Sequence, residues 1–276
     1  LERVVVRIAS IGSGSKGNGT LLAAGETLIL IDCGFTLKET EKRFLDLGIA
    51  PSDLSAILVT HEHGDHANGV AALSRRYGVP VYMSHGTQLT GRCSDVHQAV
   101  CFDAGECFSI DEIAVASIMV PHDARQPCQY VFEVGGLKLG LLTDVGHITP
   151  HIVESYQNCD YLILEFNHDR AMLQSGPYPP SLKRRVGGDL GHLNNQQASE
   201  LLFHAEHPGL KRVLIAHISQ QNNSLEAVES AIKEKLGPDF NKHQFATQEA
   251  GFDWIVLSSE PQAALIQSRT RKAVGA

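Results

Sequence analysis

At 276 residues, with 43% apolar and 20% charged side chains, the chain has the composition of a globular protein that buries a sizeable core. Its formal net charge of −8 excludes a surface coated with basic residues for indiscriminate nucleic-acid binding, but admits a nucleic-acid substrate held by bound cations and a local basic patch. No apolar run approaches the ~20 residues of a membrane span, nothing resembles a signal peptide, and six cysteines lie scattered without a CxxC pair. A cytoplasmic protein with reduced thiols and no membrane partner is therefore expected.

Val4 to Ala9 reads as a strand from its β-branched content and runs into a loop of glycines and small hydroxyls over 12–19. Thr27 to Asp32 reads as a buried strand, and Leu37 to Leu47 as a helix stopped by Gly48. The apolar run Ala56-Ile57-Leu58-Val59-Thr60 reads as a strand that ends in a polar loop. Val70 to Tyr77 is a helix closed by Gly78, and 80–83 a short strand. From about 99 to 143 strands follow one another, with segments 112–119, 129–134 and 137–143 and a hairpin signal at Gly135-Gly136. Helix 149–157, strand Tyr161 to Glu165, a helix from near Asn194, strand Arg212 to Ala216, helix Leu225 to Leu236 and strand Phe252 to Leu257 complete the order. No repeat is visible in residue identity, and the polar residues from about 267 are expected to fray. The order predicts an α/β (α+β) protein, two mixed sheets face to face with helices outside.

The polar loop is His61-Glu62-His63-Gly64-Asp65-His66. His61 and His63 are two apart, so on an extended backbone both point to one side. Asp65 and His66 come where the chain turns into the next helix and can reach a second position nearby. The spacing suggests two adjacent metal ions. A solvated polar loop is the alternative, and three histidines and an aspartate in six residues speak against it. Three further positions repeat the strand-end pattern: His122 after Ala114 to Val120, Asp144 after Leu139 to Thr143, and His217 after Val213 to Ala216. Any one alone is more often a satisfied polar residue than a ligand.

HxHxDH followed by His, Asp and His resembles the metallo-β-lactamase superfamily. The resemblance implies a four-layer αββα sandwich in a single domain over residues 1–276. It implies that His61, His63 and His122 hold one divalent ion, that Asp65, His66 and His217 hold a second, and that Asp144 bridges them. The true lactamases often carry a cysteine where Asp144 stands; a carboxylate resembles the ester and phosphodiester hydrolases. The flavin-dependent di-iron members carry glutamate where His63 stands, so hydrolysis is the expected branch. Two divalent cations ~4 Å apart lower the pKa of a shared water toward neutrality, and a second oxygen of Asp65 can orient or deprotonate it. The mixed nitrogen and oxygen ligands suit zinc or manganese.

Gly191-His192-Leu193-Asn194-Asn195-Gln196-Gln197-Ala198 resembles the histidine loop of phosphodiesterases similar to tRNase Z and the PhnP type. The resemblance implies that His192 protonates the leaving oxygen and that Glu165 orients it; the alternative is a residue with no role ahead of a helix capped by Asn194. Segments 176–185, 165–169 and 13–18 resemble the WalJ (YycJ, VicX) family, which implies a 5′ to 3′ DNA exonuclease linked to DNA repair, DNA being favoured over RNA. On that view Lys183, Arg184 and Arg185 clamp backbone phosphates, while Ser15, Lys16 and Asn18 offer a loop to a phosphate. A solvated helix face and a tight turn are the respective alternatives. His168 is a candidate substrate contact; a place behind the metal ligands is the alternative, and the chemistry does not require it.

An RNA-processing nuclease similar to tRNase Z shares the metal site and the acid loop, but no glycine- and proline-rich insertion supplies its arm. A small-molecule cyclic phosphodiesterase would dispense with the basic cluster. A catalytically silent binding module would be expected to have lost ligands, and the set is complete.

Overall fold

The computed structural model describes residues 4–258, so the polar stretch from about 267 lies outside the described residues. Among the described residues two seven-stranded sheets organise the fold, with strands numbered in chain order. The first runs β14 (Phe252–Leu257), β1 (Val6–Gly12), β2 (Gly19–Ala24), β3 (Thr27–Ile31), β4 (Ala56–Leu58), β5 (Pro80–Ser84), β6 (Gln98–Phe102). The second runs β13 (His243–Phe245), β12 (Arg212–Ala216), β11 (Tyr161–Glu165), β10 (Leu137–Leu142), β9 (Cys128–Val134), β8 (Ile113–Met119), β7 (Cys107–Ile110).

Both sheets are mixed in the same way. In the first, β14, β1, β2 and β3 pair antiparallel and β3, β4, β5 and β6 parallel. In the second, β7 to β10 pair antiparallel and β10 to β13 parallel. The two halves thus repeat a pairing pattern that residue identity does not show.

Strand alternation sorts the apolar side chains into three layers of core. Ile29 and Ile31 of β3 face inward with Ile8, Leu22, Phe132, Leu139 and Ile163, filling the space between the sheets. Leu28 and Leu30 face outward and pack with Phe44 of α1 (Leu37–Asp46) and Leu73 of α3 (Val70–Tyr77). Leu162 and Leu164 of β11 face the other way, toward Ile152 of α5 (Pro150–Ser155), Leu201 of α8 (Asn195–Ala205) and Ile232 of α9 (Leu225–Leu236). The layers are helix, sheet, sheet, helix, as expected.

Gly135 and Gly136 take φ of 59° and 75°, the left-handed pair that a tight hairpin between β9 and β10 requires. Sequence reasoning leaves β2 unassigned, because its small residues Gly19, Thr20, Ala23 and Ala24 give a weak strand signal. It also leaves out β13, α4 (His85–Leu89) and α6 (Arg170–Ser175), all too short for periodicity to declare. Among the described residues no helix is long and apolar enough to cross a membrane.

Candidate metal centre

The parallel runs of both sheets end at one edge, the place where open α/β sheets present ligands. There β3 leads to Asp32, β4 to His61, β10 to Asp144, β11 ends on Glu165 and β12 leads to His217. Asp32, Asp144 and His217 take left-handed φ of 61°, 55° and 52°. Such backbone is uncommon outside glycine, and here it turns each side chain sharply off its strand. Asp65 and His66 lie in the single turn α2 (Gly64–Ala67) that follows the loop.

Ligand-type atoms converge in the described residues as His61 with His63 and His122, and as Asp65 with His66 and His217. His61 Nε2 lies 3.0 Å from His63 Nδ1, which lies 3.2 Å from His122 Nε2. His66 Nε2 is 3.5 Å from Asp65 Oδ2, and His217 Nε2 3.9 Å from the same oxygen. Asp144 spans the two groups: one carboxylate oxygen is 3.2 Å from His66 and 3.1 Å from His217, the other 3.9 Å from His122. Another grouping draws His192 to Asp144 and His217.

The residues fit a metal, because the hydrogen bonds behind the rings fix which nitrogen faces inward. The Thr60 hydroxyl donates to Asp32 Oδ2 at 2.8 Å, so its oxygen accepts from His61 Nδ1–H at 2.9 Å and leaves the Nε2 lone pair inward. His122 Nδ1–H donates to the Gly191 carbonyl at 3.0 Å, and His66 Nδ1–H to Asp32 Oδ2 at 2.8 Å. Outer nitrogens bound to oxygen and inner lone pairs converging is the arrangement a metal needs. Asp144 Oδ2 and His217 Nδ1, though 3.1 Å apart, are moreover buried without a well-aligned hydrogen bond, which a cation would satisfy.

The protonation pattern points the same way. Burial holds the His61 and His122 imidazoles below their ordinary range, hence neutral and able to ligate. Burial also opposes a proton on His66, but the Asp144, Asp32 and Asp65 carboxylates outweigh it and hold the ring well above that range. Burial is likewise overridden at His217, where Asp144 pushes the ring up to about 9. On the carboxylates burial favours the acid, yet His66 holds Asp65 at about 2, and His217 and His66 hold Asp144 well below its usual range. Without a cation, protons on two histidines do the work of neutralising the carboxylates.

Glu165 is fully buried, its Oε1 accepting from the Val145 and Leu193 amides at 2.8 and 3.2 Å. Its Oε2 lies 3.2 Å from His192 Nδ1. The reciprocal cap of α8, Asn194 with Gln197, starts that helix two residues after His192 and holds it at the rim. His192, Asp65, Asp144 and His217 line a cleft of about 390 Å³.

Residues 27–218 match the sequence profile described as the beta-lactamase superfamily domain. The chain is 34% identical over 231 residues to exodeoxyribonuclease YycJ of Bacillus anthracis, covering 82% of this chain and 87% of that one. The chain belongs to the YycJ/WalJ family of the metallo-β-lactamase superfamily. Exodeoxyribonuclease WalJ of Streptococcus pneumoniae is 30% identical over 270 residues, covering 96% of this chain and 98% of that one. The metallo-β-lactamase-fold protein YhfI of Bacillus subtilis superposes with a TM-score of 0.71 at 17% identity, over 92% of this chain and 100% of that one, a likeness of fold. This member is a metal-dependent hydrolase.

Its substrate-side residues are arranged differently from the sequence expectation. The Lys183-Arg184-Arg185 run lies on α7 (Pro180–Val186), where only Arg185 of the three lines the cleft. Its guanidinium donates to Asp123 at 2.5 Å from Nε and 3.4 Å from Nη2. Lys183 instead donates to the Gln174 carbonyl at 2.6 Å, and Arg184 is exposed away from the cleft. The loop over 13–18 is no open phosphate cradle. Its Ser13, Gly14, Lys16, Gly17 and Asn18 amides donate within the protein to Thr247, Asn18, Gln248, Gly14 and Asp65. Ser15 lines the cleft and Lys16 is exposed. Asn18 is buried, its side-chain nitrogen 3.3 Å from Asp65 Oδ2 and 3.0 Å from His66 Nε2, so it stands beside the ligand atoms of the second group. His168 is 1% exposed and does not line the cleft; burial lowers its pKa to about 4. Sequence reasoning missed Asp32 and Thr60, which hold His61 and His66, and Asp123, which holds Arg185. The signal for Asp32 was present: it follows β3 much as Asp144 follows β10.

Proposed function

We propose that this hydrolase is a dinuclear metal-dependent phosphodiesterase that removes nucleotides from DNA ends in the cytoplasm, in the 5′ to 3′ direction. The observation that carries the reading is Asp144 reaching both His/Asp groups beside a histidine backed by a buried glutamate. The names of the YycJ and WalJ relatives support DNA as the polymer. His61, His63 and His122 would hold one zinc or manganese ion and Asp65, His66 and His217 the other, with Asp144 shared. Bound there, such ions supply Lewis acidity and a water of lowered pKa.

The chain's own residues do the rest. Asp65 orients the attacking water and takes its proton. Arg185, pinned by Asp123, pairs with a non-bridging phosphate oxygen. Glu165 accepts from His192 Nδ1–H, fixing the tautomer and leaving Nε2 to carry a proton to the leaving oxygen. An alkoxide is a poor leaving group, so a placed acid is worth roughly 10²–10⁴-fold.

The test is incubation of zinc- or manganese-loaded protein with end-labelled single- and double-stranded DNA, RNA and bis-p-nitrophenyl phosphate, with metal counted per chain. Two ions and stepwise loss of the 5′ nucleotide from DNA are expected. Hydrolysis of the small diester alone would sink the nuclease reading, and fewer than two ions the dinuclear one. His192→Ala should keep its metal and lose most activity on DNA. If it loses metal instead, the grouping with Asp144 and His217 makes it a ligand and not the acid.

A further inference from the structure

We infer that Tyr178 and Leu182 form a platform on which the unpaired base next to the scissile phosphate stacks; this rests on the phosphodiesterase reading above. The cleft has two kinds of wall. Its floor is the charged cluster of His63, Asp65, Asp144 and His217. Tyr178, Leu182 and Val186 of the segment leading into and through α7 line it as well, with Ile218 beyond β12. Leu182 and Val186 are four apart, so they share one face of α7, and Arg185 lies three after Leu182 on the same side. One short helix therefore offers the cleft a cation and an apolar strip together.

That pairing matches the chemistry of a nucleotide. A phosphate takes the metal floor and the guanidinium, while a flat apolar ring takes Tyr178 and Leu182. Stacking of this kind is sequence-tolerant, because every base has a π-face, which suits an enzyme that must process any end. The cleft's volume of about 390 Å³ lies near the lower limit of small-ligand sites, room for a nucleotide. A base can reach the platform only after leaving its pair, so single-stranded or frayed ends are the expected substrate. The face of α7 bearing Arg184 is turned away and takes no part.

Two arms test the platform. The first compares thymidine 5′-(p-nitrophenyl phosphate) with methyl p-nitrophenyl phosphate, which share leaving group and diester and differ in the nucleoside. Tyr178→Ala should raise KM about tenfold or more for the nucleoside diester, leave the methyl diester within about twofold, and be rescued by Tyr178→Phe. An equal effect on both diesters, or none, overturns the inference. The second arm places 2-aminopurine at one or the other end of phosphorothioate-protected oligodeoxynucleotides and follows its fluorescence. Quenching at one end by the wild type and by Tyr178→Phe, lost in Tyr178→Ala, supports stacking; no quenching at either end overturns it. Quenching without hydrolysis of either diester would leave the platform standing and bring down the phosphodiesterase reading instead.

Discussion

The first sheet delivers His61, His63, Asp65 and His66 from one six-residue loop, whereas the second delivers His122, Asp144, Glu165 and His217 singly from four strand ends. The two sheets repeat one order of pairings, so the difference lies in the connections at the shared edge. In the first, the chain leaves β4 extended and turns into α2, which places four side chains with ordinary backbone. In the second, Asp144 and His217 depend on left-handed backbone at φ 55° and 52°. Asp144 is the most consequential, since its carboxylate reaches both groups. Asp144→Ala should cost roughly 10³-fold or more in activity, several kcal/mol of barrier, and lower the metal content measured by mass spectrometry. Two ions retained with activity near wild type would show that the sheets work independently.

Each sheet also has one carboxylate behind its ligands. Asp32 accepts from the Thr60 amide, the Thr60 hydroxyl and His66 Nδ1, all at 2.8 Å. Glu165 accepts from two amides and faces His192. Asp32 thus supports ligands, and Glu165 supports the proton donor. Asp32→Asn should weaken metal affinity about 10–100-fold, read by competition with a chelating dye. Glu165→Gln should leave that affinity unchanged and lower kcat on DNA by a similar factor, sparing diesters with a good leaving group. If both variants lose metal equally, the division of labour between the sheets is wrong.

Stripping the metal exposes the two groups as opposites in pH. His66 and His217 have folded pKa values above the ordinary 6.5, the latter about 9. The stabilisation from His217 is complete below about 6.5 and is lost as pH rises through about 9, and that from His66 is lost in the same direction. His61 and His122 have folded values below 6.5, so neutral rings there cost stability as pH falls from 6.5. Asp65, held at about 2, adds stability above its ordinary 3.8 that is lost toward about 2. Metal-free protein should therefore show a maximum in Tm near pH 6.5 by calorimetry, falling by several degrees toward pH 9, where the metal-loaded form stays flatter. A metal-free Tm that rises from pH 6.5 to 9 would contradict the protonated pair.

How much of this the sequence showed follows from how local each feature is. The hexapeptide is legible because its ligands crowd one turn of chain. His122, Asp144 and His217 are legible as ligand-type residues ending apolar runs, and Glu165 through the resemblance of its segment. Asp32 ends such a run too, but its role exists only through Thr60 and His66, 28 and 34 residues away. The loop over 13–18 looks like a phosphate cradle because its amides' partners at Asp65, Thr247 and Gln248 are brought in only by folding. Nor does composition reveal which way a side chain on a short helix points.

That last point gives the smallest effect and the sharpest contrast between adjacent residues. Three consecutive residues on a helix point in three directions, about 100° apart, so Lys183, Arg184 and Arg185 face different surroundings. Arg185 alone of them lines the cleft, and Asp123 holds it there at 2.5 Å. Arg185→Ala should weaken binding of single-stranded DNA about tenfold and reduce the slope of log K against log salt by about 0.7, the value for one phosphate contact. Arg184→Ala should change both by little, since its guanidinium faces solvent away from the cleft. Asp123→Asn should fall between them, because Arg185 keeps its charge and loses the partner that aims it. Equal losses for Arg184 and Arg185 would mean that DNA lies across the outer face of α7 as well, and that the cleft wall extends beyond the side facing the metal centre.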